Sequence, residues 1–244
     1  MMWRAGTVIA LHDETQTART ITLQVADWPS HVAGQHVDVR LTAPDGYSAV
    51  RSYSIASPPN VEGRVELTVE RLSDGEVSPY LTQELAVGDR LELRGPIGGW
   101  FVWRSRQAEP IQLIAGGSGI VPLMAMIRSR ASAGSTEPFR LLYSVREPGA
   151  VFYRDELQVI SDGVDTVTLT YAYTRATPRG WPRPPGRIDA SVIAETTWSS
   201  KLIPTCYVCG PTSFVESTAA LLVGCGNRPD KIRTERFGPT GGRT

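Results

Sequence analysis

The chain has 244 residues, with 25 basic and 25 acidic side chains and 41% hydrophobic residues. This is ordinary globular composition, which excludes a disordered tail, a collagen-like chain and a disulfide-stapled miniprotein. A zero net charge argues against a general nucleic-acid binder, and no run of about eighteen apolar residues offers a membrane span.

The start, Met1 to Thr20, carries Arg4 and His12-Asp13-Glu14 within a short apolar stretch, with no apolar run or cleavage site of a secretory signal; a cytoplasmic location is expected. Period-two alternation over 20–25, 36–41 and 64–69 predicts strands, and Gly, Pro and Asp clusters such as Pro44-Asp45-Gly46 mark turns between them. Strands at this spacing suggest an antiparallel barrel or sandwich. A short helix is predicted from Ser78 to Leu85, with Pro79 in its first turn. Near 100–108 the rhythm changes. Uniformly apolar runs at 111–115, 139–145, 167–173 and 205–209 now alternate with helical patterns at 120–131, 152–160, 188–194 and 214–223, and a last strand is predicted at 231–236. Apolar strands between helices signal a parallel sheet covered on both faces. The predicted domains are 1–104 and 105–244, the second ending in a glycine-rich tail from Gly238.

Residues 1–105 carry 9 basic and 13 acidic side chains, and the remainder carry 16 and 12. A basic second half suits an anionic ligand such as a nucleotide. Lysine occurs only at 201 and 231; the arginine bias fits phosphate binding and a GC-rich genome equally well. The cysteines are Cys206, Cys209 and Cys225, too few for a four-thiolate iron–sulfur cluster, and no histidine cluster supplements them; no metal site is expected.

Four constellations carry chemistry. In Arg51-Ser52-Tyr53-Ser54, alternation would put a guanidinium, a phenol and a hydroxyl on one strand face, a set that can neutralise pyrophosphate and meet an aromatic cofactor. Alone, it also reads as an ordinary strand. Val69-Glu70-Arg71 followed by Gly75-Glu76-Val77-Ser78 offers a glycine turn and backbone N–H groups at a helix start, an anion site or simply a Ser78 N-cap. In Ile114-Ala115-Gly116-Gly117-Ser118-Gly119-Ile120-Val121-Pro122 a buried strand runs into three glycines and a helix, where backbone can approach a pyrophosphate. Cys209-Gly210-Pro211 sets a thiol at a strand end entering a helix.

In this order, and with Gly95-Pro96-Ile97-Gly98 between them, these motifs resemble the ferredoxin–NADP⁺ reductase superfamily over nearly the whole chain. The resemblance implies a six-stranded antiparallel FAD-binding barrel followed by a five-stranded parallel α/β NAD(P)-binding domain. It implies an enzyme that moves hydride between NAD(P)H and FAD and passes electrons to a separate protein such as a ferredoxin. A reductase of a small acceptor (free flavin or a ferric chelate) and a non-catalytic electron-transfer subunit are the alternatives, and FMN is the alternative flavin. By the same resemblance Arg51 would pair with the FAD pyrophosphate, Ser52 and Tyr53 would lie in the flavin site, and Ser54 would hydrogen-bond near N5. Val69, Arg71, Gly75, Val77 and Ser78 would complete the FAD site. Gly116, Gly117, Ser118 and Gly119 would hold the NAD(P) pyrophosphate. Cys209 would sit beside the reacting carbon, with Gly210 and Pro211 admitting the ring. Glu235 would relay a proton with Ser54, and Phe237 would cover the flavin, although the chain runs past it to Thr244. Neither end has room for a fused ferredoxin, so the acceptor is expected to be another polypeptide. Ser144, Arg146, Tyr153 and Arg154 would favour NADP(H) by holding a 2′-phosphate, with Arg175 near and Glu147 as the acid that opposes them; NAD(H) is the alternative.

Overall fold

A computed structural model describes residues 2–59, 62–163 and 167–238; of the tail expected from Gly238, everything after Gly238 itself lies outside the described residues. The chain divides into two units, one formed by Met1–Arg104 with Met124–Ala133 and the other by Ser105–Leu123 with Gly134–Thr244.

The first unit holds six strands: β1 (Trp3–Thr15), β2 (Ala18–Val25), β3 (His36–Thr42), β4 (Ser48–Ser54), β5 (Arg64–Glu70) and β6 (Arg90–Ile97). All their pairings are antiparallel, in the order β4-β3-β6-β1-β2-β5. Just beyond β4, Ile55 bridges Leu67 of β5, and Ala56 N–H donates to Glu66 O at 2.8 Å, so the two outer strands meet and the sheet curls into the expected barrel. Alternation fills its interior with Ile21, Leu23, Val37, Val39, Val65, Leu67, Val69 and Leu93, all fully buried. The predicted helix at 78–85 is shorter and wider than expected: after a first helical turn at 78–79, Tyr80–Glu84 winds as a π turn. Leu81 and Leu85 plug the barrel core. Ser78 does not cap this turn; its Oγ accepts from Leu72 N–H at 3.0 Å.

The second unit is a parallel sheet of β7 (Ile111–Gly116), β8 (Phe139–Val145), β9 (Val167–Tyr173), β10 (Thr205–Pro211) and β11 (Ile232–Phe237), in the order β11-β10-β7-β8-β9. The helices are α1 (Ile120–Ser132), α2 (Arg154–Asp162), α3 (Ala190–Thr196) and α4 (Thr212–Gly224), of which α1 contributes its later residues to the first unit. Every residue of β7 is buried, as befits a central parallel strand; the one polar side chain among them, Gln112, donates to Leu113 O and Arg140 O at 3.2 Å. Strand order reverses between β7 and β10, which leaves the crevice at their carboxyl ends where doubly wound sheets take ligands.

Candidate functional site

In the first unit β4 carries the Arg51-Ser52-Tyr53-Ser54 motif beside β3, with Arg51 opposite Val39 and Tyr53 opposite Val37. Arg51 and Tyr53 therefore share a face. Ser52 and Ser54 take the other, contrary to the expectation that a serine hydroxyl joins them, because the pleat alternates strictly. Ser52 Oγ donates instead to Asp38 Oδ1 at 2.7 Å, and Asp38 also receives Arg94 Nη2 at 2.7 Å. Tyr53 is half-buried against the barrel core, and burial pushes its phenol up to about 12, so it keeps a proton to donate.

Arg51 is half-exposed; its Nη2 meets Glu76 at 2.7 Å and its Nη1 donates to Val50 O at 2.8 Å. An exposed ion pair of this kind is worth little, so an incoming phosphate can take the place of Glu76. The donor set thus fits a flavin pyrophosphate. Other expected contacts are narrowed. Val69 and Val77 point into the core, which leaves only their backbone for a ligand. A Cβ on Gly75 would sit 2.8 Å from Ser78 Oγ, so this glycine serves the Leu72–Ser78 turn. Arg71 lines a separate hollow with Thr17, Arg19 and Gln83 at the β1–β2 hairpin.

In the second unit, register aligns Glu235 of β11, Cys209 of β10, Ala115 of β7, Tyr143 of β8 and Tyr171 of β9 in one row across the sheet. Next along come Gly116 opposite Ser144 and Gly210 opposite Arg236, and one residue further Pro211 stands opposite Phe237. Cys209 is 1% exposed rather than open at the mouth of the sheet. Burial, and then the neighbouring Glu235 charge, hold its thiol far above the ordinary range, so it is a neutral S–H. Burial also raises the Glu235 carboxyl to about 7. The row therefore holds a carboxyl able to gain or lose a proton near neutrality beside a thiol that does not ionise.

The glycines have a reason that the sequence does not display. A Cβ on Gly119 would lie 2.1 Å from Cys209 O, and one on Gly116 or Gly210 would lie 2.7 Å from the Phe214 ring. They let the start of α1, the end of β10 and Phe214 pack at backbone distance. Gly117 alone of the turn's three glycines has open space around it, and its φ of +54° favours glycine. With Ser118 half-buried beside it, the turn presents backbone and a hydroxyl, which fits a dinucleotide's pyrophosphate.

The corner after β8 and β9 gathers the expected arginines. Arg146 O accepts from Arg175 N–H at 2.9 Å, and Arg146, Arg154 and Arg175 are all exposed. Arg154 Nη2 donates to Pro148 O. The two hydroxyl residues expected with them, Ser144 and Tyr153, are instead 6% and 4% exposed, Tyr153 in a left-handed conformation at the start of α2. Sequence reasoning missed an aromatic set here: Tyr171 stacks on Tyr173 at 5.8 Å, and Trp181 meets Tyr173 edge-on at 5.0 Å. The alternation of Tyr171 and Tyr173 in β9 was the available signal. No group of three metal-ligating side chains occurs among the described residues.

Two family models match the chain. The oxidoreductase FAD-binding domain matches residues 8–102, and the oxidoreductase NAD-binding domain matches residues 113–220. The glycine betaine monooxygenase reductase subunit of Chromohalobacter salexigens is 30% identical over 85% of this chain and 56% of its own length. The ferredoxin–NAD(P)⁺ reductase component of the naphthalene 1,2-dioxygenase/salicylate 5-hydroxylase systems of a Ralstonia species is 25% identical over 97% of this chain and 69% of its own. The solved ferredoxin reductase in carbazole 1,9a-dioxygenase superposes with a TM-score of 0.82 at 27% identity, covering 97% of this chain and 70% of that one. The chain thus spans little more than half of the first of these relatives and about seven-tenths of the other two. Barrel, parallel sheet, motif positions and both family models converge: the chain belongs to the ferredoxin–NADP⁺ reductase family of FAD- and NAD(P)-binding oxidoreductases.

Proposed function

We propose that the chain is an FAD-dependent reductase, with residues 1–104 holding FAD and residues 105–244 holding NAD(P)H, that delivers electrons to a separate redox protein such as a ferredoxin or an oxygenase component. The observation that carries this reading is the Glu235–Cys209 pair set beside the Gly116–Gly119 turn at the carboxyl ends of β7, β10 and β11. FAD, when bound, supplies the hydride acceptor and the means of releasing electrons one at a time. The protein's part is placement. Arg51 neutralises phosphate, and Tyr53 offers a ring and a neutral hydroxyl on the same strand face. Gly117 and Ser118 receive the nucleotide pyrophosphate. Cys209 packs its uncharged thiol where the nicotinamide edge would lie, and Glu235 holds or releases a proton beside it.

The related reductase subunits serve a monooxygenase and a dioxygenase system by name, which supports a protein acceptor over free flavin or a ferric chelate. Three exposed arginines, Arg146, Arg154 and Arg175, support NADPH over NADH, since a 2′-phosphate carries about −1.5 to −2 charge. The test is stopped-flow reduction of the FAD-loaded protein by each nucleotide. Cys209→Ala slows flavin reduction at least tenfold while nucleotide affinity changes little. Arg146→Ala raises KM for NADPH several-fold and leaves that for NADH unchanged. Unaltered reduction in the first variant removes Cys209 from the site, and equal effects in the second remove the phosphate assignment. Failure to bind FAD at all overturns the whole reading.

A further inference from the structure

The second unit carries a cavity of about 490 Å³ at the amino ends of its strands, the end of the sheet remote from Gly116 and Cys209. Its wall includes Arg140 near the start of β8, Trp198, Ser199 and Ser200 from the connection into β10, and Cys225 and Asn227 after α4. Arg140 lies over the Trp198 indole, its guanidinium carbon 4.0 Å from the ring centroid. Its Nη1 donates to Thr197 O at 2.8 Å, while its Nε is buried with no partner. Among the described residues no acid pairs with it; Glu195, on the same wall, is turned to Arg183.

A half-buried guanidinium that uses one of its five N–H donors and faces no acid among the described residues is costly to hold; its Nε is closed to solvent, so the remaining Nη1 and Nη2 hydrogens are the donors left for a ligand. The carboxyl end of α3, which Arg140 meets through Thr197, offsets part of that charge, about half an elementary unit at most. The remainder asks for an anion. Serine hydroxyls and an asparagine beside a stacked guanidinium suit the oxygens of a carboxylate or a phosphate.

We propose that this cavity is a binding site for a small oxyanion, held by Arg140, and that the bound anion covers the Cys225 thiol. Cys225 is partly exposed, whereas Cys206 and Cys209 are each 1% exposed, so the folded protein has one thiol open to a reagent. The site lies wholly within one unit and does not depend on the reductase reading.

Iodoacetate and iodoacetamide test it, because they differ in charge but not in chemistry. In both, the Cys225 sulfur displaces iodide: an S–C bond forms, the C–I bond breaks, and the thiol proton leaves to solvent. Labelling of the 244-residue chain, followed by mass, should occur at Cys225 and vanish in Cys225→Ser. The iodoacetate-to-iodoacetamide rate ratio should exceed that of a free thiol. Arg140→Gln should lower it about tenfold, the scale of one charge-assisted hydrogen bond, and Arg140→Lys should retain most of it. Millimolar phosphate or citrate should slow both reagents on the wild-type protein; protection by phosphate alone assigns a phosphoryl ligand, and by citrate alone a carboxylate. A ratio equal to that of a free thiol, or no protection by either anion, overturns the proposal. The protection arm uses only wild-type protein, so it decides the matter even if Arg140→Gln fails to fold.

Discussion

At the scale of single residues, the three glycines at and just after the end of β7 separate two physical causes that look alike in a sequence. A Gly-Gly-Ser-Gly turn at the end of a buried strand suggests backbone laid open for a phosphate. Yet Gly119 is needed because Cys209 O would stand 2.1 Å from its Cβ, and Gly116 because Phe214 occupies the space. Only Gly117 has both an open surrounding and a positive φ. Alanine at the two positions should therefore behave differently. Gly119→Ala has to push apart the backbones of α1 and β10 and should destabilise by about 3 kcal/mol or more. Gly117→Ala meets no atom and should cost about 1 kcal/mol through its left-handed backbone. Urea midpoints of the two variants check this, and similar losses at both positions would show that the close approach of Gly119 to β10 is not tight. The reading of Gly-Gly-Ser-Gly as a cofactor turn was legible in the sequence because glycine at a strand–helix junction is rare without cause. The identity of the cause was not, because Phe214 and Cys209 are close to these glycines only in the fold.

Elements differ in how plainly they are written. The central parallel strands were legible to within a residue or two because burial on both faces leaves them mostly apolar, as in Ile111–Gly116, where Gln112 is the one polar residue, whereas the edge strands β9 and β11 carry several polar positions. The first strand was the least legible. Its 13 residues carry Arg4, His12, Asp13 and Glu14, and its register with β2 slips between Val8 and Ala10 and again between Asp13 and Thr15, which blurs the period of two. The connection from β2 to β3 has no periodic mark at all, yet it is fixed in place by a histidine. His31 is 6% exposed; its Nδ1 accepts from Trp28 Nε1–H at 3.2 Å, so its Nε2 carries the proton and donates to Ser57 O at 3.0 Å. Burial lowers its pKa below the ordinary 6.5. As pH falls through 6.5 the unfolded ring takes up a proton while the folded ring resists, so this clamp contributes fully above that pH and its contribution is lost below it. His36 is shifted the same way by burial and adds to the effect. Wild-type protein should therefore lose more stability between pH 7.5 and pH 5.5 than His31→Gln does, as read from urea midpoints at each pH. Equal losses would mean that His31 titrates alike in both states and holds nothing.

For the molecule as a whole, the change from alternating to continuous apolar segments near residue 105 made a barrel followed by a parallel sheet legible, because each architecture sets its own burial period. What the pattern does not state is which unit a helix packs with. The later turns of α1 belong with the barrel, since residues Met124–Ala133 are part of the first unit. Within that unit Met126 reaches Gly34, whose absent Cβ would stand 2.8 Å from the methionine methyl. Arg128 Nη1 donates to Ala56 O at 2.9 Å and meets Glu66 Oε2 at 3.2 Å. Both partners lie where Ile55 and Ala56 join β5 and close the barrel. A fragment ending at Arg104 would keep all six strands and lose these contacts, leaving Glu66 and the Ala56 carbonyl to water. Two hydrogen bonds to a charged group at about 1.5–3 kcal/mol each set the upper scale of the loss, which partial exposure of Glu66 reduces. Hydrogen exchange of the β5 amides should consequently be faster in the 1–104 fragment than in the intact chain, and Arg128→Ala in the intact chain should reproduce part of that acceleration. Equal protection of β5 in fragment and chain would show that the barrel closes on its own and that the helix adds nothing to it.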